Sequence, residues 1–102
     1  MENINHTKIV KNIAEYNTKQ YNYSKLCEEL FELGEVCMKT INKKQKSQPP
    51  IEKIIEEVGD VIVRIRVLCQ VEGIFGPVSN RIGEKLNQIQ KSIDKQQYKG
   101  GI

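Results

Sequence analysis

Apolar residues recur along the chain at helical spacing, and the polar intervals between them divide it into four segments. Leu26, Leu30, Leu33, Cys37 and Ile41 follow one another at steps of four, three, four and four residues, which keeps them on one side of an α-helix. That helix is predicted to start at a cap near Asn22 or Ser24 and to run to about Ile41. A longer series, Ile51, Ile54, Ile55, Val58, Ile62, Ile65 and Cys69, holds the same period. Its β-branched run from Val58 to Leu68 looks strand-like locally, but strands are usually shorter, so about Ile51 to Glu72 is predicted to be helical.

Two further segments complete the pattern. About His6 to Tyr16 carries Ile9, Ile13 and Tyr16, and about Pro77 to Ile93 carries Val78, Ile82, Leu86, Ile89 and Ile93. Asn42 to Pro50 has no apolar side chain of the core type and ends in two prolines, which makes it the main loop and suits Pro50 to the first turn of the next helix. Gly73 and Gly76-Pro77 mark the break between the third and fourth helices. The end of the chain, QQYKGGI, has no period, so 94–102 is expected to be a flexible tail. With no internal repeat, the expected architecture is all-α: one domain over 1–102, a bundle of about four helices with its core in about 17–93.

Composition narrows the class. The chain has 102 residues and 38% hydrophobic content, enough for one core but not a generous one. Val63, Val67 and Phe31 fall outside the main stripes, so more apolar surface is expected than one layer of helices covers, and dimerisation would complete the bundle. Sixteen Lys and Arg stand against 13 Asp and Glu, a net charge of +3. Much of the excess lies in Lys39 to Lys46 and Lys91 to Lys99, which read as solvated loop and tail rather than the dense basic face of a nucleic-acid binder. Cys27, Cys37 and Cys69 form no C-x-x-C pair and His6 is the one histidine, so neither zinc nor a disulfide framework is expected. Cysteines within apolar segments suit a reducing cytoplasm. No signal-peptide core and no membrane-length apolar run is present.

The candidate chemistry lies beside the stripes of the two longest helices. At 100° per residue from Leu26, Glu29 falls near about 300° and Glu32 near about 240°, on one flank, while Glu28 and Glu35 point to the solvated side. From Ile51, Glu57 falls near about 240°, Asp60 near about 180° and Arg64 near about 220°, again on one flank. If the helices pack antiparallel by their stripes, the acidic pairs converge at the edge of a cleft. Clustered carboxylates repel and need a countercharge. Magnesium, a hard cation that takes oxygen ligands and is often completed by phosphates, is the natural one. A single E-x-x-E or E-x-x-D is usually a solvated helix face; two on facing flanks of long helices make a candidate site.

These residues resemble the motifs of the MazG-like all-α nucleoside triphosphate pyrophosphohydrolase superfamily, E-E-x-x-E, a variable spacer, then E-x-x-D. Here they read Glu28-Glu29-Leu30-Phe31-Glu32 and Glu57-Val58-Gly59-Asp60, with residues 33 to 56 between them. KLCEELFELGEV and EEVGDVIVRIRVL look like the two core helices of that family, and Gln20 precedes the first motif as a glutamine often does there. The likeness spans most of 17–93. It implies hydrolysis of an NTP or dNTP to the monophosphate and pyrophosphate, dependent on magnesium or manganese, by a cytoplasmic homodimer or homotetramer. It further implies Glu29, Glu32, Glu57 and Asp60 as metal-binding catalytic residues, with Glu28 at a neighbouring motif position. Lys85 and Asn87 stand roughly where such proteins carry phosphate- and base-holding residues, though their spacing is not a clean match, and Tyr98 is isolated. Arg64, one turn beyond Asp60, could reach a phosphate or neutralise the acids. The competing expectation is a catalytically silent helical module that keeps this fold and binds a partner protein. A nucleic-acid module using the lysine-rich segments is disfavoured, because the acidic face repels phosphates.

Overall fold

In a computed structural model the chain is described over residues 4–42, 44 and 47–95. Four helices account for it: α1 (Ile4–Tyr16), α2 (Lys19–Ile41), α3 (Ile51–Glu72) and α4 (Phe75–Asp94). Among the described residues there is no strand, and no helix is long and apolar enough to cross a membrane. The tail expected over 94–102 lies, beyond Lys95, outside the described residues.

Local chemistry sets the helix ends. Thr18 caps α2, its hydroxyl accepting the Tyr21 N–H at 3.1 Å. The start therefore precedes the expected cap at Asn22 or Ser24. Asn22 is instead buried one turn inside the helix, and its Nδ2 donates to the Ala14 carbonyl at 3.3 Å, fastening α1 to α2. Gly73 ends α3 in the left-handed conformation, φ 66°, and its N–H and that of Ile74 both turn back to the Cys69 carbonyl. α4 begins at once with Phe75, so Pro77 sits within its first turn, where a missing N–H costs nothing.

α2 and α3 form the main packed pair, and α1 lies on α3. The pair is antiparallel: the Tyr23 hydroxyl near the start of α2 donates to Glu72 Oε2 at the end of α3 at 2.6 Å, and Lys19 Nζ lies 3.1 Å from the same oxygen. The Tyr23 hydroxyl, followed by Lys19, holds the Glu72 carboxyl below the usual carboxylate range. α4 makes only slight contact with α3, and none of its residues is buried.

The core is small and is not centred on the expected stripes. Its fully buried apolar members are Val10, Val36, Val61, Val67 and Cys69. Val67, expected outside the stripe, is 0% exposed, whereas Ile55 and Ile62, expected inward, are 63% and 50% exposed. Ile51, Ile65, Leu30 and Ile41 are exposed too, as are Cys27 and Cys37. The reason is that α3 has two neighbours. α2 and α1 take two different sides of it, so most of the densest apolar stripe is left on a third side and faces out. On α2 the buried side, marked by Asn22, Glu29, Leu33 and Val36, is turned by roughly 60° from the stripe centre.

The outer side of α3 and the apolar side of α4 are left uncovered as a result: Ile51, Ile55, Ile62, Ile82 and Leu86 are all half exposed or more. Because Val67 is enclosed between helices, Val67→Ala should lower stability by about 2 kcal/mol. Tyr16→Ala, at an exposed position, should change it by less than about 0.5 kcal/mol; thermal or urea unfolding of both variants checks the contrast.

Candidate metal centre

The rotation of α2 that leaves Leu30 outside brings Glu29 inside. Glu29 is half-buried, and Glu57 on the facing turn of α3 is 3% exposed. Two acids on the principal helix contact are unusual, because charged groups mostly stay in water. Around them the chain gathers more of the same sign. One oxygen each from Glu29, Glu32 and Glu57 lie within 4.8 Å of one another, and so do oxygens of Glu56, Glu57 and Asp60. Glu57 belongs to both groups, so the first spans the two helices and the second runs along α3.

Two oxygens in this cluster are buried without a hydrogen-bond partner, Glu29 Oε2 and Glu57 Oε2. The other oxygen of Glu57 accepts from Lys53 Nζ at 3.0 Å, and the same ammonium lies 3.9 Å from Glu56. Burial, then the charges of Glu32, Asp60 and Glu57, push the Glu29 carboxyl above the usual carboxylate range, with Lys25 opposing them. An all-oxygen donor set with orphaned buried oxygens and like-charge repulsion is what a hard divalent cation relieves, so these residues fit magnesium or manganese and do not suit zinc.

Of the four expected acids, Glu29, Glu32 and Glu57 converge in one group, while Asp60 converges with Glu57 and Glu56 in the second. Glu56 lies one residue before the E-x-x-D motif, so the motif spacing alone does not single it out. The signal available was the Glu56-Glu57 doublet, which mirrors Glu28-Glu29, and the i, i+4 spacing that puts Glu56 one turn from Asp60.

The expected substrate-holding residues are scattered. Glu28 is exposed and paired with Lys25 at 3.0 Å, and it belongs to neither group of converging oxygens. Arg64 is half-buried one turn along α3 from Asp60, close enough to Lys25 for the two cations to repel. Lys85 borders an open groove of about 490 Å³ on α4 with Val78, Arg81, Ile82 and Leu86, a lining that includes none of the acids. Asn87 lies about 160° round the helix from Lys85, so the two cannot face one phosphate together. Tyr98 is outside the described residues.

In comparison with known proteins the chain matches no family model, no curated protein and no solved structure.

The raised proton affinity of Glu29 has a definite sign for stability. An acid whose folded pKa exceeds its unfolded value opposes folding once ionised, so its cost is absent at low pH and grows as pH rises past the unfolded value. In EDTA, Glu29→Gln should therefore raise the melting temperature by a few degrees at pH 7, and the gain should vanish as pH falls below about 4.3, the unfolded value. Paired thermal melts across that range check it.

Proposed function

We propose that this chain is a magnesium-dependent nucleoside triphosphate pyrophosphohydrolase of the MazG-like kind, converting an NTP or dNTP and water to the monophosphate and pyrophosphate. The observation that carries the reading is the meeting of Glu29 and Glu57 across the α2–α3 contact, each with a buried oxygen that lacks a partner, beside Glu32. The E-E-x-x-E and E-x-x-D motifs supply the same residues.

On this reading Glu29, Glu32, Glu57 and Asp60 are the residues that would hold the metal, which when bound would supply positive charge against the triphosphate and acidify a water. A carboxylate of the cluster would be available to accept a proton from the water attacking the α-phosphorus. Arg64 and Lys25, whose charges act on each other and, for Lys25, on Glu29, would meet phosphate oxygens. The reading places the protein in the cytoplasm, where such substrates occur.

A homodimer or homotetramer belongs to the same reading, with a second copy of this chain covering the outer stripe of α3 and the free apolar side of α4. Stable homodimers commonly bury about 2,000 Å² or more in total, about half from each chain, and both helices offer uncovered apolar side chains to such a contact. Ile55 and Ile62 on α3 and Ile82 and Leu86 on α4 are all half exposed or more. One observation favours the silent binding module instead: Lys85 and Asn87 do not converge with the acids within one chain.

A panel of ordinary and modified triphosphates with magnesium, read by pyrophosphate release, separates the two functional readings. Activity that Glu57→Gln lowers by at least about a hundredfold supports the enzyme, and no release from any triphosphate leaves the module. Magnesium should also raise the wild-type melting temperature, and Glu57→Gln should abolish that shift. Light scattering should give a mass of two or four chains, and Ile62→Glu or Leu86→Glu should reduce it; a monomeric wild type sinks the assembly.

A further inference from the structure

The cation that the acidic cluster already possesses is a lysine. Lys53 Nζ lies 3.0 Å from Glu57 Oε1 and 3.9 Å from Glu56 Oε2. Glu57 is the one residue common to both groups of converging oxygens, and it is the most buried acid of the cluster. The ammonium therefore sits on the residue that a divalent cation in either group must use.

Its side chain differs in kind from the carboxylates around it. Lys53 stands one turn before Glu57 on the same helix and is 46% exposed, so its flexible stem can carry the charge into solvent without moving the backbone. The cluster cannot rearrange in the same way, because Glu57 is enclosed by the α2–α3 contact. A divalent cation bound through Glu57 would lie within a few ångströms of the ammonium, and two positive charges would then repel each other while competing for the same carboxylate.

We infer that Lys53 is the built-in counter-ion of the metal-free acidic cluster, displaced when a divalent cation binds to Glu57, and that this exchange sets the cation affinity of the site. The inference rests on the reading of the cluster as a metal centre and adds a residue that the acidic motifs do not contain. With the ammonium in place, the metal-free helices keep their contact despite the clustered acids. Part of the free energy of cation binding is then spent in releasing it. An ordinary pair on a helix surface would behave differently, since its removal alters stability alone and leaves cation affinity untouched.

The test is a titration of the full chain with manganese, followed by the electron paramagnetic resonance signal of the free ion, together with thermal melts in EDTA. Lys53→Met, which keeps length and removes charge, should bind manganese about three- to tenfold more tightly than the wild type. It should also melt at a lower temperature in EDTA, and Lys53→Arg should not tighten binding. Lys39→Met, which removes a lysine paired with Glu35 at 3.9 Å on α2, should bind as the wild type does. Unchanged or weaker binding by Lys53→Met, beside a wild type that binds manganese, overturns the role of Lys53 and spares the metal centre. A wild type that binds no manganese overturns both. If Lys53→Met loses its helical signal in EDTA, Lys53→Gln is read in its place by the same criterion.

Discussion

Two carboxylates from different helices meet inside the principal contact of this chain, and the remaining architecture has to accommodate their repulsion. Glu57 is almost fully enclosed and Glu29 is half-buried, each with an oxygen that no protein group satisfies. Packing alone would favour apolar residues there, because an unpaired buried charge costs far more than a buried leucine contributes. The contact is held elsewhere: by Val36 and Val61 within the core, and at one end by the hydroxyl and ammonium that Tyr23 and Lys19 bring to Glu72. Lys53 relieves one oxygen of Glu57. The fold thus carries a local electrostatic cost at one place, a pattern more common at functional sites than in purely structural contacts.

The same contact explains the openness of the molecule. α3 gives one side to α2 and another to α1, and its third side, rich in isoleucine and valine, is left in solvent. α4 leaves the body after Gly73 with its own apolar side uncovered. Among the described residues five buried apolar side chains make a thin core, while Phe31 is 80% exposed. Hydrophobic stabilisation scales with the area removed from water, so the surface still exposed is the largest reserve of stability this chain holds.

The helices were legible because each rests on local chemistry. Leu26 to Ile41 and Ile51 to Cys69 keep a helical period whatever surrounds them, and Gly73 ends α3 through a backbone angle that glycine adopts without strain. Boundaries were less legible where a long-range bond intervened. Asn22 looks like a cap in isolation, yet its amide is used by the Ala14 carbonyl eight residues back, and Thr18 caps instead. The acids of the candidate site were legible in kind, because their spacing places each pair on one flank of its helix. The residues thought to hold substrate were not, since a helix one turn away says nothing about where α4 travels after Gly73.

By itself the sequence determined that this chain is helical, where its helices begin and end to within a few residues, and that Glu29, Glu32, Glu57 and Asp60 lie on matching flanks. These follow from interactions within one or two turns, which depend only on nearby residues. Which flank is buried was decided by tertiary structure alone. An amphipathic helix specifies an apolar side but not the number of neighbours that will share it, and α3 has two. Their positions turned the isoleucine stripe outward, enclosed Val67, and drew Glu29 and Glu57 face to face.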